Sequence, residues 1–569
     1  MLTKKSWRIK KANKNIVNNL TDSLGISKVI AELLALRGIT NYNQAKNFFR
    51  PDLSNLHNPS LMKGMRNAIS RINTAISNNQ KILLYGDYDV DGTTSVAMMH
   101  TFFFNFTDKI DYYIPCRYKE GYGISFKGID YAKENNISLI ISLDCGIRAV
   151  EQIDYAKKKG IDFIICDHHN PARIVPKAIA ILNPKQRECN YPFKDLSGCG
   201  VAFKLIQGYC EYHSIKLEKI IHLLDFLVVS IAADIVPMVD ENRVFSFFGL
   251  KMINSSPRLG IKVLMDIAKR KDKWRISDIV FGIAPRINAA GRLEHGKIAV
   301  ELLIEKDNEK AMLMAARIEK LNLERRDIER IITEEALNMV STNKKSTVVY
   351  SKSWHKGVVG ICASRLIESY YKPTIVLSEK DGILTGSARS VKGFDLYSTL
   401  KKCEKYLERF GGHMYAAGLS LKKENLNDFI IAFENEVSKS ITDDQLIPDI
   451  NVDSEIRLHE IDAKLVRIIK QFAPFGPNNN EPVFMSRNIK DSGNGRLVGN
   501  KKEHIRLEII DNEGVYLISG IGFGLAQHYN KIIDNNSFDI CYTIDENIWN
   551  GKKELQLKLK DIKSAHSSS

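Results

Sequence analysis

A chain of 569 residues is too long for one hydrophobic core, and its 44% hydrophobic and 26% charged residues are those of an ordinary globular protein of roughly three or four domains. Lys and Arg (82) outnumber Asp and Glu (67), and the net charge of +15 suits a polyanionic partner, although a sequence rich in Lys, Ile and Asn throughout carries such an excess with or without one. Nine cysteines without a C-x-x-C pair argue against a disulfide framework and read as free thiols in a reducing compartment. The basic start has no apolar h-region, and the most membrane-like stretch, 221–239, carries His222, Asp225, Asp234 and Pro237, so a cytoplasmic protein without membrane contact is expected.

Residues 1–75 read as a helical and irregular lead-in packed on the first domain, broken at Arg50-Pro51-Asp52 and Asn58-Pro59. Strands and helices then alternate: KILLYG (81–86), a helix over 93–106, KIDYYIP (109–115), a helix over 126–135, LIISLD (139–144), a helix over 149–159, and IDFIICD (161–167). Unbroken hydrophobicity marks these strands as buried on both faces, so residues 76–296 are read as an α/β domain with a parallel sheet. The charge-rich stretch 297–345 reads as a solvated helical connector. A second α/β domain follows at 346–440, with strands TVVYS and PTIVLSE around a helix over 358–370. Pro448 marks a boundary, and 448–563 breaks into short strands such as HIRLEII, VYLISGIGF, FDICYTI and LQLKLKDI, the pattern of a small β-barrel of oligonucleotide-binding (OB) type. The closing SAHSSS reads as disordered.

The strongest chemical signal is YGDYDVDG (85–92), with Asp87, Asp89 and Asp91 at alternate positions directly after a strand. Ligands of open parallel sheets bind beyond the carboxyl ends of the strands. Carboxylates crowded there repel one another unless a cation neutralises them, and oxygen donors favour Mn²⁺ or Mg²⁺. A calcium loop of EF-hand type is excluded, because the twelfth position counted from Asp87 is Met98 and not Glu. Two further strand ends supply Asp144 and Asp167-His168-His169, and VVSIAADIVP places Asp234 in an apolar context where a lone carboxylate is costly. Two ions held about 4 Å apart would activate water and stabilise charge at phosphorus, which makes phosphodiester hydrolysis the reaction class.

These residues resemble the DHH phosphoesterase superfamily, named for the triplet found here at 167–169, and within it the RecJ exonucleases. The likeness runs through nearly the whole chain: YGDYDVDG, IPCRYKEGYG (114–123), SLDCG (142–146), DHH, ADIVPMVDENR (233–243), APRINAAGR (284–292), SWHKGVVGICASRL (353–366), GSARS (386–390) and FGGHMYAAG (410–418). It implies a DHH catalytic domain and a DHHA1-type domain joined by a long helix, with a C-terminal OB-like domain. It implies metal ligands at Asp89, Asp91, Asp144, His168 and Asp234, with Asp144 bridging two ions and Asp87 belonging to the motif. Asp167 would support the site and His169 would face the scissile phosphate. Arg117, Arg292 and Arg389 look like contacts to the strand, with Ser387 and Arg389 reading a 5′-phosphate, and His355 and His413 lie in the motifs of the second domain. Arg117 read without the family is a surface salt bridge, and His413 a structural histidine. The implied activity is 5′→3′ degradation of single-stranded DNA to mononucleotides in recombination and repair, by a monomer working with a helicase and a single-strand-binding protein. Tyr516, Phe523 and Trp549 are candidates for stacking on bases, though each suits a core equally well. The alternatives are an oligoribonuclease or cyclic-dinucleotide phosphodiesterase of the same superfamily, which lacks the terminal β domain, an inorganic pyrophosphatase, and a non-catalytic replication scaffold, whose relatives have lost metal ligands.

Overall fold

The computed structural model describes residues 5–270, 272–532, 536–549 and 552–565. Most of the SAHSSS tail, from 566 on, and the side chain of Trp549 lie outside the described residues. The chain divides into two compact units, one of residues 51–328 with 474–480, the other of 1–50, 329–473 and 481–569. Among the described residues no helix is long and apolar enough to cross a membrane.

A first short strand, β1 (Ser6–Ile9), precedes the sheet of the 51–328 unit. That sheet is built of β2 (Lys81–Gly86), β3 (Ile110–Tyr113), β4 (Ile137–Leu143), β5 (Asp162–Cys166) and β6 (Ala180–Leu182), in the order β3-β2-β4-β5-β6 with every pair parallel. The period-2 alternation of strands sends their apolar residues to both faces. Ile82, Leu84, Ile141, Leu143 and Ile164 enter the larger core, and Leu83, Tyr85, Ile140, Phe163 and Ile165 the smaller one. The strands expected from hydrophobicity are all present. The helix expected from residue 93 begins earlier, at Val90, because Asp89 caps it by accepting from the Gly92 N–H at 3.0 Å. The 297–345 stretch, charged enough to suggest a solvated connector, is partly core: Ile298, Ala299, Val300, Leu302, Leu303, Ala311, Ala315 and Ile318 are buried in this unit. The helix Asn308–Asn338 runs for 31 residues.

The other unit carries two domains. Strands β7 (Thr347–Ser351), β8 (Thr374–Lys380), β9 (Ile383–Arg389), β10 (Arg409–His413) and β11 (Ala416–Lys422) form a sheet ordered β10-β11-β9-β8-β7, parallel only between β7 and β8. Next comes β12 (Asp449–Val452), which pairs in parallel with β1, so residues 1–50 cluster here and not on the first domain as the sequence suggested. The β-rich end contains β13 (Ser454–Glu455), β14 (Phe484–Asp491), β15 (Arg496–Val498), β16 (His504–Ile510), β17 (Leu517–Gly522), β18 (Phe538–Trp549) and β19 (Lys552–Ser564). The pairings β14–β16, β16–β17, β17–β19, β19–β18 and β18–β14 close a circuit of five strands, parallel only between β17 and β19. That connectivity belongs to an OB fold.

Candidate metal centre

The ends of β2, β4 and β5 bring the acidic and imidazole side chains together. After β2 the backbone turns within three residues into the helix Val90–Phe103, and only glycine fits at position 92, where a Cβ would lie 2.5 Å from the Asp87 carbonyl oxygen. After β4 the Asp144 backbone adopts a left-handed conformation (φ 60°), while its N–H donates to the Cys166 carbonyl at 2.9 Å. After β5 comes Asp167-His168-His169. Three groups of donor atoms result, each within 4.8 Å: Asp87, Asp89 and Asp144; Asp91, His168 and Asp234; Asp144, His168 and His169. His168 Nε2 lies 3.2 Å from Asp144, 3.6 Å from Asp234 and 3.8 Å from Asp91.

The electrostatics call for a cation. Oδ1 of Asp87 and Oδ1 of Asp144 are buried with no hydrogen-bond partner, a costly condition for a carboxylate. Burial first, then the charge of Asp89, raises the Asp87 carboxyl well above the usual range. Burial and the charges of Asp91, Asp89, Asp234 and Asp87 do the same to Asp144. Asp89 is raised by burial and Asp91, and Asp234 is pushed up to about 8 by burial, Asp91 and Asp89. Burial lowers His168, leaving a neutral imidazole with a lone pair to give. Several carboxylate oxygens with one neutral imidazole are a donor set that fits Mn²⁺ or Mg²⁺, and the unpartnered oxygens are where such ions would bind. Asp234 departs from its sequence reading: it is the last residue of the helix Leu224–Asp234, and its side chain keeps 31% of its surface exposed.

Asp167 and His169 do a different job. Asp167 accepts from the Ile147 N–H at 2.9 Å, from the His169 N–H at 3.0 Å and from His169 Nδ1 at 2.7 Å. Burial alone would raise this carboxyl, but the hydrogen bonds and charge of His169 hold it down at about 2. Burial opposes protonation of His169, yet the bond and charge of Asp167, with Asp234 and Asp91, outweigh it and raise its pKa. With Nδ1–H given to Asp167, Nε2 is the outer nitrogen, and the Tyr122 hydroxyl lies 3.1 Å from it. Arg117 lies over the Tyr88 ring, 5.1 Å from its centre, and its charge reaches Asp87. Arg292 lies in the last turn of the helix Ala284–Leu293, where Gly291 packs so close that a Cβ would sit 2.6 Å from the Tyr88 carbonyl oxygen. Its own carbonyl accepts from the Tyr118 hydroxyl.

The remaining sequence candidates lie in the other unit. Arg389 Nη1 donates to Ser387 Oγ at 2.6 Å, and a Cβ at Gly360, near the start of the helix Val359–Tyr370, would lie 3.2 Å from both side chains. His413 is opposite Ala416 on β11, which is opposite Arg389 on β9, so His413 and Arg389 share one row and one face of the sheet. Gly411, Gly418 and Ser387 form the next row on that face, and a Cβ at Gly411 would meet nothing within 4 Å, leaving an open shelf beside Arg389. His355 Nδ1 accepts from the Gly357 N–H at 3.2 Å, in the turn before the same helix.

Three contributors escaped the sequence reading. The N-terminus of the helix Gly198–Tyr212 holds Asp91: Gly198 N–H donates to Oδ2 at 2.6 Å and Cys199 N–H to Oδ1 at 2.8 Å. Ser230 Oγ donates to Oδ1 at 2.6 Å and is itself 2.7 Å from Ser197 Oγ. Gly198 also lies against Asp144, where a Cβ would come 2.7 Å from Oδ1. The sequence signal was Ser-Gly-Cys-Gly opening a helix, an anion-binding start with no mark of its distant carboxylate. Tyr122, which lies in IPCRYKEGYG without a role assigned from sequence, is the third.

Comparison with known proteins shows the family and the fold. The models of the DHH family N-terminal domain, the DHHA1 domain and the RecJ OB domain match residues 81–231, 343–439 and 452–561. The chain is 37% identical over 573 residues to the single-stranded-DNA-specific exonuclease RecJ of Bacillus subtilis, covering 99% of this chain and 71% of the relative. The Haemophilus influenzae protein of the same description is 32% identical, covering 89% of this chain and 91% of that one. RecJ from Thermus thermophilus, solved in complex with Mn²⁺, superposes with a TM-score of 0.86 at 22% identity over 99% of this chain and 80% of that one, which speaks for the fold. A further exonuclease RecJ, solved bound to manganese, has a TM-score of 0.61 at 27% identity, over 69% of this chain and 98% of that chain.

Proposed function

Because the chain belongs to the RecJ single-stranded-DNA-specific exonucleases of the DHH family, we propose that its acidic cluster holds two divalent ions, Mn²⁺ or Mg²⁺, and hydrolyses single-stranded DNA from the 5′ end to mononucleotides. It is an exonuclease specific for single-stranded DNA. The observation that carries the metal reading is the pair of buried, unpartnered oxygens on Asp87 and Asp144 within one cluster of donors. Bound ions would supply the positive charge that activates water and stabilises the charge developing on the phosphate oxygens.

The protein side chains divide the remaining work. Asp89, Asp144, His168 and Asp234 hold the ions, with Asp91 as a ligand braced by Gly198, Cys199 and Ser230, and Asp87 completing the inner group. Asp167 fixes the ring of His169 so that Nε2 faces the scissile phosphate. Arg117, over the Tyr88 ring, and Arg292, next to the Gly291 that packs on the Tyr88 carbonyl, contact the strand. On the open shelf, Ser387 and Arg389 take the 5′-phosphate, since a guanidinium binds phosphate bidentately, with His413 in the same row of the sheet and His355, in the turn before the helix Val359–Tyr370, as a further contact. Work in the cytoplasm on recombination and repair, as a monomer served by a helicase and a single-strand-binding protein, completes the reading.

The test is degradation of single-stranded DNA labelled at either end, in Mn²⁺, with duplex, RNA and dinucleotide controls and Asp144→Ala as the inactive reference. Early release of the 5′ label as mononucleotide, with progressive shortening of the 3′-labelled strand, supports the reading. Cleavage of dinucleotides with long strands untouched would instead favour a small-substrate phosphodiesterase.

A further inference from the structure

The helix that carries Arg292 in its last turn has a second feature about three turns before that residue. Its start is irregular: Ile276–Asp278 is α-helical, Ile279–Ile283 is a π-helical turn, and Ala284–Leu293 is α-helical again. Such π turns are rare and concentrate at functional sites. Phe281 sits at the middle of this one with 81% of its surface exposed, more than any other large hydrophobic side chain among the described residues. Around it Ile279, Ile283, Ala284, Ile287, Ala289, Ala290 and Gly291 are buried, whereas Phe281, Pro285, Asn288 and Arg292 reach the surface. The spacing i, i+4, i+7, i+11 is one face of a helix. The face is about 16 Å long at 1.5 Å per residue. Next to Arg292, Gly291 packs so close to the loop between Asp87 and Asp89 that a Cβ on it would lie 2.6 Å from the Tyr88 carbonyl oxygen.

The other end meets a basic segment that the catalytic reading does not use, KRKDKWR (269–275). Lys269, Lys273 and Arg275 are exposed, and Trp274 packs 3.1 Å from where a Cβ on Gly282 would stand, which places the segment beside Phe281. An exposed aromatic, a basic rim and a continuous path to the reacting centre are the elements of a single-strand binding track.

We propose that the face Phe281–Pro285–Asn288–Arg292, with Lys269, Lys273 and Arg275 beside it, is a track for single-stranded DNA beyond the scissile phosphate, on which Phe281 stacks against a base. The proposal rests on the exonuclease reading above. It places the contact a few nucleotides from the cut, so long strands use it and dinucleotides do not.

The test compares the full-length wild type with Phe281→Ala, Phe281→Trp and, as a control on an equally open surface, Tyr212→Ala, whose ring is 68% exposed. Affinity is read without divalent ions by fluorescence anisotropy of labelled oligothymidine. Stacking is read from the emission of 2-aminopurine walked along the strand, and KM from degradation in Mn²⁺. Phe281→Ala is expected to weaken binding of long strands about tenfold, the equivalent of about 1.4 kcal/mol and at the low end of what losing one stacked base costs. KM should rise with it, and the 2-aminopurine quenching should vanish at one position. Phe281→Trp should restore both, and Tyr212→Ala should behave as wild type. Unchanged affinity and quenching in a Phe281→Ala protein that still degrades single strands would overturn the track and leave the exonuclease reading standing. A wild type that neither binds nor cuts single strands would overturn both.

Discussion

Replacing Gly198 by alanine tests whether one helix start sets the geometry of two metal ligands. The added Cβ would lie 2.6 Å from Asp144 Cβ and 2.7 Å from its Oδ1, whereas ordinary contact begins at 3.4 Å, so something must move by about 0.8 Å. Neither side yields cheaply. Gly198 and Cys199 are tied to Asp91 by hydrogen bonds of 2.6 and 2.8 Å, and Asp144 is pinned through its N–H to Cys166. Overpacking of this kind costs about 1–3 kcal/mol of stability. Catalysis should suffer more, because a misplacement of about 1 Å at a reacting centre costs about 100-fold. Disturbed support of metal ligands typically costs about 10- to 100-fold in metal affinity. Gly198→Ala should therefore fold, bind Mn²⁺ at least tenfold more weakly by isothermal titration, and degrade single-stranded DNA about 100-fold more slowly at saturating metal. Wild-type metal affinity together with a wild-type rate would refute the idea that this helix start positions Asp91 and Asp144.

Four further expectations follow from the same geometry. Ser230→Ala removes one of three donors to Asp91 and should weaken Mn²⁺ binding about tenfold or more while leaving the fold intact by circular dichroism, since one hydrogen bond to a charged group carries about 1.5–3 kcal/mol. Asp144→Asn should abolish activity yet raise the melting temperature of the metal-free protein, because it removes a buried carboxylate held among like charges; a lower melting temperature would contradict that account. The raised carboxyls of Asp87, Asp89, Asp144 and Asp234 make the folded metal-free protein hold protons that the unfolded chain releases, so its stability should fall as pH rises from about 4 towards the Asp234 value of about 8. Mn²⁺ should then raise the melting temperature more at pH 8 than at pH 6, and the reverse order in calorimetry would refute the linkage. Tyr122→Phe removes a hydroxyl from His169 Nε2 and should change kcat by no more than about tenfold in steady-state assays, the range of one neutral hydrogen bond.

Much of this molecule was legible in its sequence because the relevant signals are local. Strands β2, β4 and β5 are short, mostly apolar runs, and the carboxylates and imidazoles follow within a few residues of their ends, where parallel-sheet geometry concentrates them, whereas the three-residue β6 is too short to show in the sequence. What escaped depends on contacts between distant residues. Asp91 meets Gly198 and Ser230 across 107 and 139 residues, and neither partner is marked by anything but its type. The neighbours of Asp234 in sequence are apolar and suggest a fully apolar setting, but the helix stops immediately after it, where Ile235 turns left-handed (φ 56°), and its carboxylate is left partly exposed while its surroundings still raise its pKa. Phe281 lies in an apolar stretch that carries no mark of exposure, yet in the π-helical turn it stands in the open.

The parallel pairing of β1 with β12 bears on how the polypeptide is made. Ser6 to Ile9 register with Asp449 to Val452, and Trp7 Nε1 reaches Asp561 at 2.7 Å, so the earliest described residues complete their contacts only with segments translated more than 400 positions later. Between them the 51–328 unit forms one nearly uninterrupted stretch, apart from its short return at 474–480. During synthesis, at about 5–20 residues per second, that stretch can gather its own core first, while residues 6–50 wait for roughly 20–80 seconds for the strand they will join. A ribosome stalled after residue 328 would thus carry nearly all of the nuclease centre beside an N-terminal segment with its permanent strand partner still unmade.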